Sequence, residues 1–272
     1  MSEDLFRLDG KIVVLTGGFG QLGQQFTVAL HQQGAQVVIL DKNIKPEIRD
    51  EAFMSLVDAG KVSAIQIDIR SKDSIGTAYQ KIAKEQDVPH VLINAAALDT
   101  PPSGADEMNA SFEGYSPDLL SDVIDINLKG LFFCCQVFGA GMAEKQRGSI
   151  INIGSIYGMV SPNQDIYAYK RTDGQSWFKP APYAMTKSGV YNLTRYLATY
   201  WARHGVRVNT ITPGGIFKDQ DEPFLIEYRK RVPIGRMAHP HEINGAVIFL
   251  ASEASSYVTG SNLVVDGGYT AW

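Results

Sequence analysis

Seven short runs of mostly apolar, often β-branched residues divide this chain, and longer stretches with helical spacing lie between them. The runs are Lys11–Thr16, Gln36–Asp41, Val62–Asp68, His90–Asn94, Ser149–Gly154, Val206–Thr212 and Asn262–Asp266. Their near-continuous apolar character suits strands that are buried on both faces of a parallel sheet. The stretches between them are Gln21–Gln33, Lys45–Ala59, Ser71–Glu85, Pro117–Glu144, Pro182–His204 and Pro240–Ser252. This alternation predicts an α/β fold with a doubly wound parallel sheet of about seven strands and helices on both faces.

The composition excludes some classes of protein. Of the 272 residues, 44% are apolar and 20% are charged, and the formal net charge is −4. A disordered chain would be poorer in apolar residues, and a nucleic-acid binder would present a basic field. The size fits one α/β domain over residues 1–272, although two domains are compatible with the length alone.

The N-terminal residues and the cysteines bear on the compartment. The first seven residues, MSEDLFR, are polar and acidic, unlike a secretory signal, and no apolar run approaches the roughly 18 residues of a membrane helix. Cys134 and Cys135 are adjacent, so no disulfide framework is expected, and we predict a buried, inert pair. We therefore predict a cytoplasmic protein without membrane or nucleic-acid partners.

Three segments do not fit the alternation, and each follows the carboxyl end of a predicted strand. They lie near residues 95–116, 156–182 and 213–237, and the last contains a predicted short helix at Glu222–Arg231. Open α/β sheets bind their ligands at this edge, and long irregular loops in a compact domain are often functional. We expect these loops to form the substrate side of the molecule.

The first predicted strand runs directly into a glycine-rich turn. Its sequence, TGGFGQLG at Thr16–Gly23, opens the first predicted helix. Glycines allow a tight turn and a close approach of the backbone to a pyrophosphate, and the N-terminus of the helix offers free N–H groups to it. A tight turn without a ligand is the alternative interpretation. The position between strand and helix favours dinucleotide binding.

Asp41 ends the second predicted strand and points to the kind of dinucleotide. It lies 18 residues after Gly23, close to the spacing expected of the acid that binds the adenosine ribose. A carboxylate there accepts hydrogen bonds from the ribose of NAD and repels the extra phosphate of NADP. The glycine turn contains no Lys or Arg, although Lys42 follows directly. NAD is predicted over NADP, and a simple strand-end cap is the alternative role for Asp41.

Tyr183 and Lys187 form a Tyr-x-x-x-Lys pair at the start of a predicted helix. Side chains four residues apart lie on one helical face. A nearby cation would lower the pKa of a tyrosine from its usual value near 10 and make it a usable general acid and base.

At this point the sequence resembles the classical form of the short-chain dehydrogenase/reductase family, over nearly the whole chain. The matching motifs are TGGFGQLG, NAAA at 94–97, IDINLKG around Asn127, INIGS ending at Ser155, YAMTK at 183–187, VRVNTITPGGI at 206–216, PIGRMAHPHEI at 233–243 and VTGSNLVVDGG at 258–268. The resemblance implies a Rossmann-type fold and hydride transfer between a substrate carbon and a nicotinamide.

The resemblance also implies a catalytic set of Asn127, Ser155, Tyr183 and Lys187. Ser155 would hydrogen-bond the substrate oxygen, and Tyr183 would take or donate the hydroxyl proton. Lys187 would bind the nicotinamide ribose and lower the pKa of Tyr183, while Asn127 would order a water that links Lys187 to bulk solvent. In the same way, Asp68 would contact the adenine.

The cofactor contacts implied by the glycine turn and the resemblance together involve all parts of the carboxyl edge. Asn94 would fix the turn after the fourth strand, and Ile216 would meet the nicotinamide amide. The whole set is Gly17, Phe19, Gly20, Gln21, Leu22, Gly23, Asp41, Asp68, Ile69, Asn94, Ala95, Tyr183, Lys187, Pro213, Gly214 and Ile216. No group of His, Cys or acidic residues has ligand spacing, so no catalytic metal is predicted.

The chain departs from the family pattern in two important places. Gln21 stands where the classical turn has a glycine, so the spacing is closer to that of the extended branch, which includes nucleotide-sugar epimerases. Ser155 and Tyr183 are 28 residues apart, clearly more than usual, so a segment of roughly Ser161–Pro180 is inserted. Its aromatic and basic side chains suit a wall or lid of the substrate pocket. A surface or subunit-contact loop is the alternative.

These observations predict an NAD(H)-dependent oxidoreductase that interconverts a secondary alcohol and a ketone on a polar small molecule. The inserted segment and NLTRYLATYW resemble members that act on sugars or sugar acids. An epimerase or dehydratase of a sugar derivative with tightly bound NAD is the alternative function. By resemblance, helices Pro117–Glu144 and Pro182–His204 would pack across a dyad in a homodimer or homotetramer.

Overall fold

One parallel sheet of seven strands organises the computed structural model, which describes residues 4–44, 50–99, 111–170 and 177–272. The strands are β1 Ile12–Thr16, β2 Gln36–Asp41, β3 Ser63–Gln66, β4 Val91–Asn94, β5 Gly148–Ile153, β6 Val206–Pro213 and β7 Asn262–Val265. Their order in the sheet is β3-β2-β1-β4-β5-β6-β7, and every neighbouring pair is parallel. The order reverses between β1 and β4, where the carboxyl ends of the strands open a crevice.

Helices cover both faces of the sheet, as predicted. They are α1 Gln21–Gln32, α2 Glu51–Asp58, α3 Lys72–Glu85, α4 Pro117–Ile124, α5 Leu131–Glu144, α6 Ile156–Met159, α7 Ala181–Trp201, α8 Glu222–Arg229 and α9 Asn244–Ala251. One buried cluster packs Ile82 of α3, Phe138 of α5 and Val190 of α7 on one face. A second cluster packs Phe26 of α1 and Leu250 of α9 on the other. The doubly wound α/β prediction is confirmed.

The two edge strands correct the prediction that every strand is buried on both faces. In β3 no residue is fully buried, and in β7 buried positions are also missing. Each of these strands has a sheet neighbour on one side only. The central strands β1, β4 and β5 are almost wholly buried, because helices cover both of their faces.

The long helix predicted at Pro117–Glu144 has a change of winding in its middle. Between α4 and α5, residues Asp125–Gly130 form a π-helical segment, which places one extra residue in the turn. Within the described residues this is the one helix long and apolar enough to cross a membrane. Cys134, Cys135 and Phe138 on it are nonetheless buried in the core, so its apolar character is that of a core helix.

The described part of the predicted helix Lys45–Ala59 is α2, Glu51–Asp58. Residues 45–49 lie outside the described residues, and α2 begins at Glu51. Asp50 fixes this start, because its carboxylate accepts a 2.7 Å hydrogen bond from the backbone N–H of Phe53.

Candidate active site

The glycine turn closes directly on the sheet. Gly17 has a φ of +68°, and a Cβ there would lie 2.7 Å from the Cα of Ala96, so only glycine fits. A Cβ on Gly23 would overlap the carbonyl oxygen of Gly17. Gly20 is the N-cap of α1, and no described side chain bonds the amides of the first turn. Those amides therefore suit a phosphate group.

Asp41 lies beside this turn and holds it in place. Its carboxylate accepts 3.1 Å hydrogen bonds from the backbone N–H groups of Phe19 and Asn43. A cavity of about 360 Å³ opens here. Seven of the predicted cofactor residues line it: Gly17, Phe19, Gly20, Asp41, Asp68, Ile69 and Ala95. The glycine cradle and the carboxylate at the end of β2 thus fit a dinucleotide.

Two cations also line this cavity, although the glycine turn itself has none. Lys42 Nζ lies 3.9 Å from Asp68, and Arg70 Nη2 lies 2.6 Å from the same carboxylate. The Arg70 guanidinium lowers the pKa of Asp68 to about 2. The sequence pointed to Lys42 alone, because Arg70 comes from a different strand end.

Gln21, the residue in place of the usual glycine, links the turn to a distant loop. Its Nε2 donates a 2.6 Å hydrogen bond to the carbonyl of Phe217. Gln21, Gly20 and Phe217 line a second cavity of about 430 Å³. The substitution therefore ties the glycine turn to the segment between β6 and α8.

The remaining predicted cofactor residues are not among the described residues that line the first cavity. Leu22 packs against the core, and Asn94 donates a 2.9 Å hydrogen bond to Asn152 within the sheet. The others are Gln21, Gly23, Tyr183, Lys187, Pro213 and Gly214, together with Ile216, which pairs with Ala238. Their predicted cofactor contacts stay predictions.

The candidate catalytic residues meet beyond the carboxyl end of β5, where Ser155 faces the first turns of α7 with Tyr183 and Lys187. Ser155 is the N-cap of α6, and its side chain lies close enough to Tyr183, in the first turn of α7, to oppose the rise in the pKa of the phenol. Lys187 Nζ lies 5.8 Å from the centroid of the Tyr183 ring and donates a 2.7 Å hydrogen bond to the carbonyl of Ile153. The fold therefore closes the 28-residue gap between the serine and the tyrosine.

The pKa of Tyr183 differs from the sequence-based expectation. Burial raises it, the Asp99 carboxylate raises it further, and the hydrogen bond from Ser155 opposes both. The sequence predicts that Lys187 lowers the pKa of Tyr183. In this structure the pKa is raised instead, because desolvation of a phenolate outweighs the other interactions. Burial also lowers the pKa of Lys187 to about 8.

Asn127 lies on the π-helical segment and is almost completely buried. Its Oδ1 accepts a 2.7 Å hydrogen bond from the N–H of Leu98, and its Nδ2 donates to the Leu98 carbonyl at 2.8 Å. The same Nδ2 lies 3.3 Å from the hydroxyl of Thr186, next to Lys187. Asn127 therefore clamps the loop after β4 to α7, while the water-ordering role implied by the resemblance stays a prediction.

Tyr191 on α7 supports the site through its hydroxyl group, a role that the sequence analysis does not predict. It donates a 2.7 Å hydrogen bond to the Ser155 carbonyl and lies 2.8 Å from the Thr212 hydroxyl. It thus holds the backbone of the candidate catalytic serine. The available signal was its spacing, since Tyr191 follows Lys187 by four residues on the same helical face.

The inserted segment packs against α8 in a small hydrophobic cluster, separate from the two clusters that cover the sheet. Ile166, Tyr167 and Trp177 are buried against Phe224 and Tyr228 of α8. Residues 171–176 of the segment, which include the basic side chain of Arg171, lie outside the described residues. The burial favours a wall beside the site over an exposed surface loop.

Comparisons with known proteins agree with this geometry. A family profile described as enoyl-(acyl carrier protein) reductase matches residues 21–270. A D-arabinitol 2-dehydrogenase (ribulose-forming) of Candida albicans (strain WO-1) is 34% identical over 98% of this chain and 95% of the relative.

Two solved structures share the fold. A short chain dehydrogenase from Leptospira borgpetersenii with bound NAD⁺ has a TM-score of 0.85 and 33% identity, over 99% of this chain and 96% of that chain. A gluconate 5-dehydrogenase from Burkholderia cenocepacia, in complex with NADP and tartrate, has a TM-score of 0.81 and 29% identity, over 99% and 98% of the two chains.

Proposed function

Because this chain belongs to the short-chain dehydrogenase/reductase family, we propose that it is an NAD(H)-dependent oxidoreductase acting on a secondary alcohol or ketone of a sugar-like or sugar-acid substrate. The observation that carries the proposal is the convergence of Ser155, Tyr183 and buried Lys187, whose Nζ lies 5.8 Å from the centroid of the Tyr183 ring. The glycine cradle lies at the same edge of the sheet. The arabinitol and gluconate dehydrogenases among its relatives support a polyhydroxy substrate.

The roles of the side chains follow from their placement. Ser155 and Tyr183 would share the substrate oxygen, which orients the reacting carbon. Tyr183 would take the hydroxyl proton at its phenol oxygen during oxidation and return it during reduction. Lys187, whose ammonium lies within 6 Å of the Tyr183 ring, would stabilise the phenolate form. The nicotinamide cofactor, held by the cradle, supplies the hydride acceptor or donor.

The proposed preference for NAD over NADP can be tested at Asp41. Replacing Asp41 by Ser removes the carboxylate that would repel a 2′-phosphate, while Lys42 and Arg70 in the same cavity could then pair with it. We expect the ratio of kcat/KM for NADP to that for NAD to rise by about 100-fold, which is about 2.7 kcal/mol. Steady-state kinetics with both dinucleotides measures this ratio.

The control for this experiment is Asp58→Ser, which changes an exposed carboxylate at the end of α2. It should leave the ratio as in the wild type. An Asp41→Ser enzyme with an unchanged ratio would show that another group selects the dinucleotide.

A screen of polyols, aldonates and deoxy sugars for steady-state NADH formation tests the function itself. A dehydrogenase accumulates NADH in proportion to turnover. The alternative, an epimerase or dehydratase with tightly bound NAD, is suggested by the TGGFGQLG spacing and gives no net NADH. Product formation without NADH accumulation would favour that alternative.

We further propose a single domain over residues 1–272 that forms a homodimer or homotetramer in the cytoplasm, with no catalytic metal. Phe132 on α5 and Tyr196 and Tyr200 on α7 are exposed in the single chain, and the two tyrosine rings stack on each other. Exposed aromatic side chains of this kind suit a subunit contact. Light scattering of the purified protein measures the mass of the assembly.

A further inference from the structure

A buried lysine from the inserted segment lies beside the candidate catalytic tyrosine. The Nζ of Lys179 lies 5.1 Å from the centroid of the Tyr183 ring and 2.5 Å from Oδ1 of Asp99. The Lys179 side chain is only 4% exposed, whereas that of Asp99 is 44% exposed. The ion pair therefore presents mainly its carboxylate to the outside.

Two clamps fix the position of this pair. The amide N–H of Lys179 donates to Gln164 Oε1 at 2.9 Å, and Gln164 Nε2 donates to the Lys179 carbonyl at 3.1 Å. On the other side, Leu98 directly precedes Asp99 and is held through both of its backbone groups by Asn127. Such a preorganised pair is suited to recognition, because little side-chain freedom is lost on binding.

The charge of Asp99 reaches the candidate catalytic groups. It raises the pKa of Tyr183 and acts in the same direction on Lys187, where burial has the larger, opposite effect. Asp99 is bonded to the lysine that lies 5.1 Å from the centroid of the Tyr183 ring, so its exposed carboxylate is placed to accept hydrogen bonds from substrate hydroxyl groups. It also repels a substrate carboxylate, because like charges brought together away from bulk water are unfavourable.

Given the proposed function, we infer that Asp99, held by Lys179, binds a substrate hydroxyl group and selects neutral polyols over the corresponding sugar acids. The inserted segment thus contributes to specificity by supplying Lys179, which orients Asp99 while leaving the carboxylate as the exposed charge of the pair. The reacting carbon remains under the control of Ser155 and Tyr183.

Matched pairs of substrates test this inference. Alditols of four to six carbons, such as D-arabinitol, are compared with the aldonates that differ only in a terminal carboxylate. For each matched pair that the wild type oxidises, we expect kcat/KM to be at least about 10-fold higher for the alditol than for the aldonate. Asp99→Asn should lower kcat/KM for the alditol by about 10-fold, mainly through KM, as expected for the loss of a hydrogen bond to a charged acceptor. In this variant kcat/KM for the aldonate should rise, so the preference for the alditol over the aldonate should narrow or invert.

Removal of Asp99's charge leaves the ammonium of Lys179 buried without its carboxylate, which can destabilise the fold. The double variant Asp99→Asn, Lys179→Met removes both charges and is the second test. It should also narrow the preference for alditols. It should not raise kcat/KM for aldonates, because the positive charge of Lys179 is removed together with the negative charge of Asp99. Melting temperatures of both variants and of the control Asp58→Asn separate folding from specificity.

The outcomes distinguish the inference from the function on which it rests. A wild type that favours aldonates, or variants that keep the wild-type preference, would overturn the role of Asp99 and leave the dehydrogenase function standing. Failure of every alditol and aldonate to yield NADH would overturn the proposed function and the inference together.

Discussion

Tyr183→Phe is expected to abolish turnover, with kcat lower by at least about 10²–10⁴-fold, the usual contribution of a general acid and base. The change removes a single oxygen, the one whose pKa the Ser155 side chain influences. Ser155 itself stays in place, because its Oγ accepts a hydrogen bond from the N–H of Tyr157 and its carbonyl is held by Tyr191. NADH binding, measured by fluorescence, should therefore survive.

Tyr257→Phe is the matched control, since Tyr257 is fully exposed and lies before β7 at the opposite edge of the sheet. It should turn over like the wild type. Wild-type rates in Tyr183→Phe would mean that a different group moves the proton.

Lys187→Met is expected to inactivate the enzyme and at the same time to stabilise it. The Lys187 side chain is 3% exposed, and burial lowers its pKa from 10.5 to about 8. That difference corresponds to a cost of about 3 kcal/mol for keeping the ammonium charged in the folded state. Loss of the bond to the Ile153 carbonyl offsets part of the gain, so we expect a net stabilisation of about 1–3 kcal/mol at pH 7, or about 2–8 °C in melting temperature.

The stability cost of the buried Lys187 ammonium depends on pH. In the wild type the cost is fully present below pH 8, where Lys187 is charged in both the folded and the unfolded chain. It disappears as the pH rises from about 8 to 10.5, because the unfolded chain then binds more protons than the folded one. The advantage of Lys187→Met should therefore shrink over this range.

Lys81→Met, at an exposed position on α3, controls for the loss of a surface charge. It should show neither the stabilisation nor its decline at high pH. A Lys187→Met protein that is less stable than the wild type at pH 7 would show that the ammonium contributes more through its contacts than it costs through its burial.

The fold could be predicted because the signals that specify it are local. Period, strand length and glycine position are all readable along the chain, and they place all seven strand starts within one residue of the observed ones. The exposure of β3 and β7 was missed because a sheet edge is a property of strand order, which one segment does not encode.

The candidate site was predictable only as far as its residues belong to recognisable motifs. Ser155, Tyr183 and Lys187 do, and the structure brings them together. Asp99 and Lys179 do not, since they meet only because the inserted segment returns to the loop after β4. The raised pKa of Tyr183 was missed for a related reason, because desolvation depends on everything packed around a group and not on its nearest cation.

The π-helical segment Asp125–Gly130 makes this site sensitive to the length of the chain. One residue on a helix corresponds to about 100° of rotation. Deleting a single residue there would let the segment relax into ordinary winding and would turn Asn127 away from Leu98. The Asp99–Lys179 pair would then lose one of its two clamps without any change to Asp99 or Lys179. In-frame loss of one codon in this stretch should consequently be more harmful than most single replacements in it.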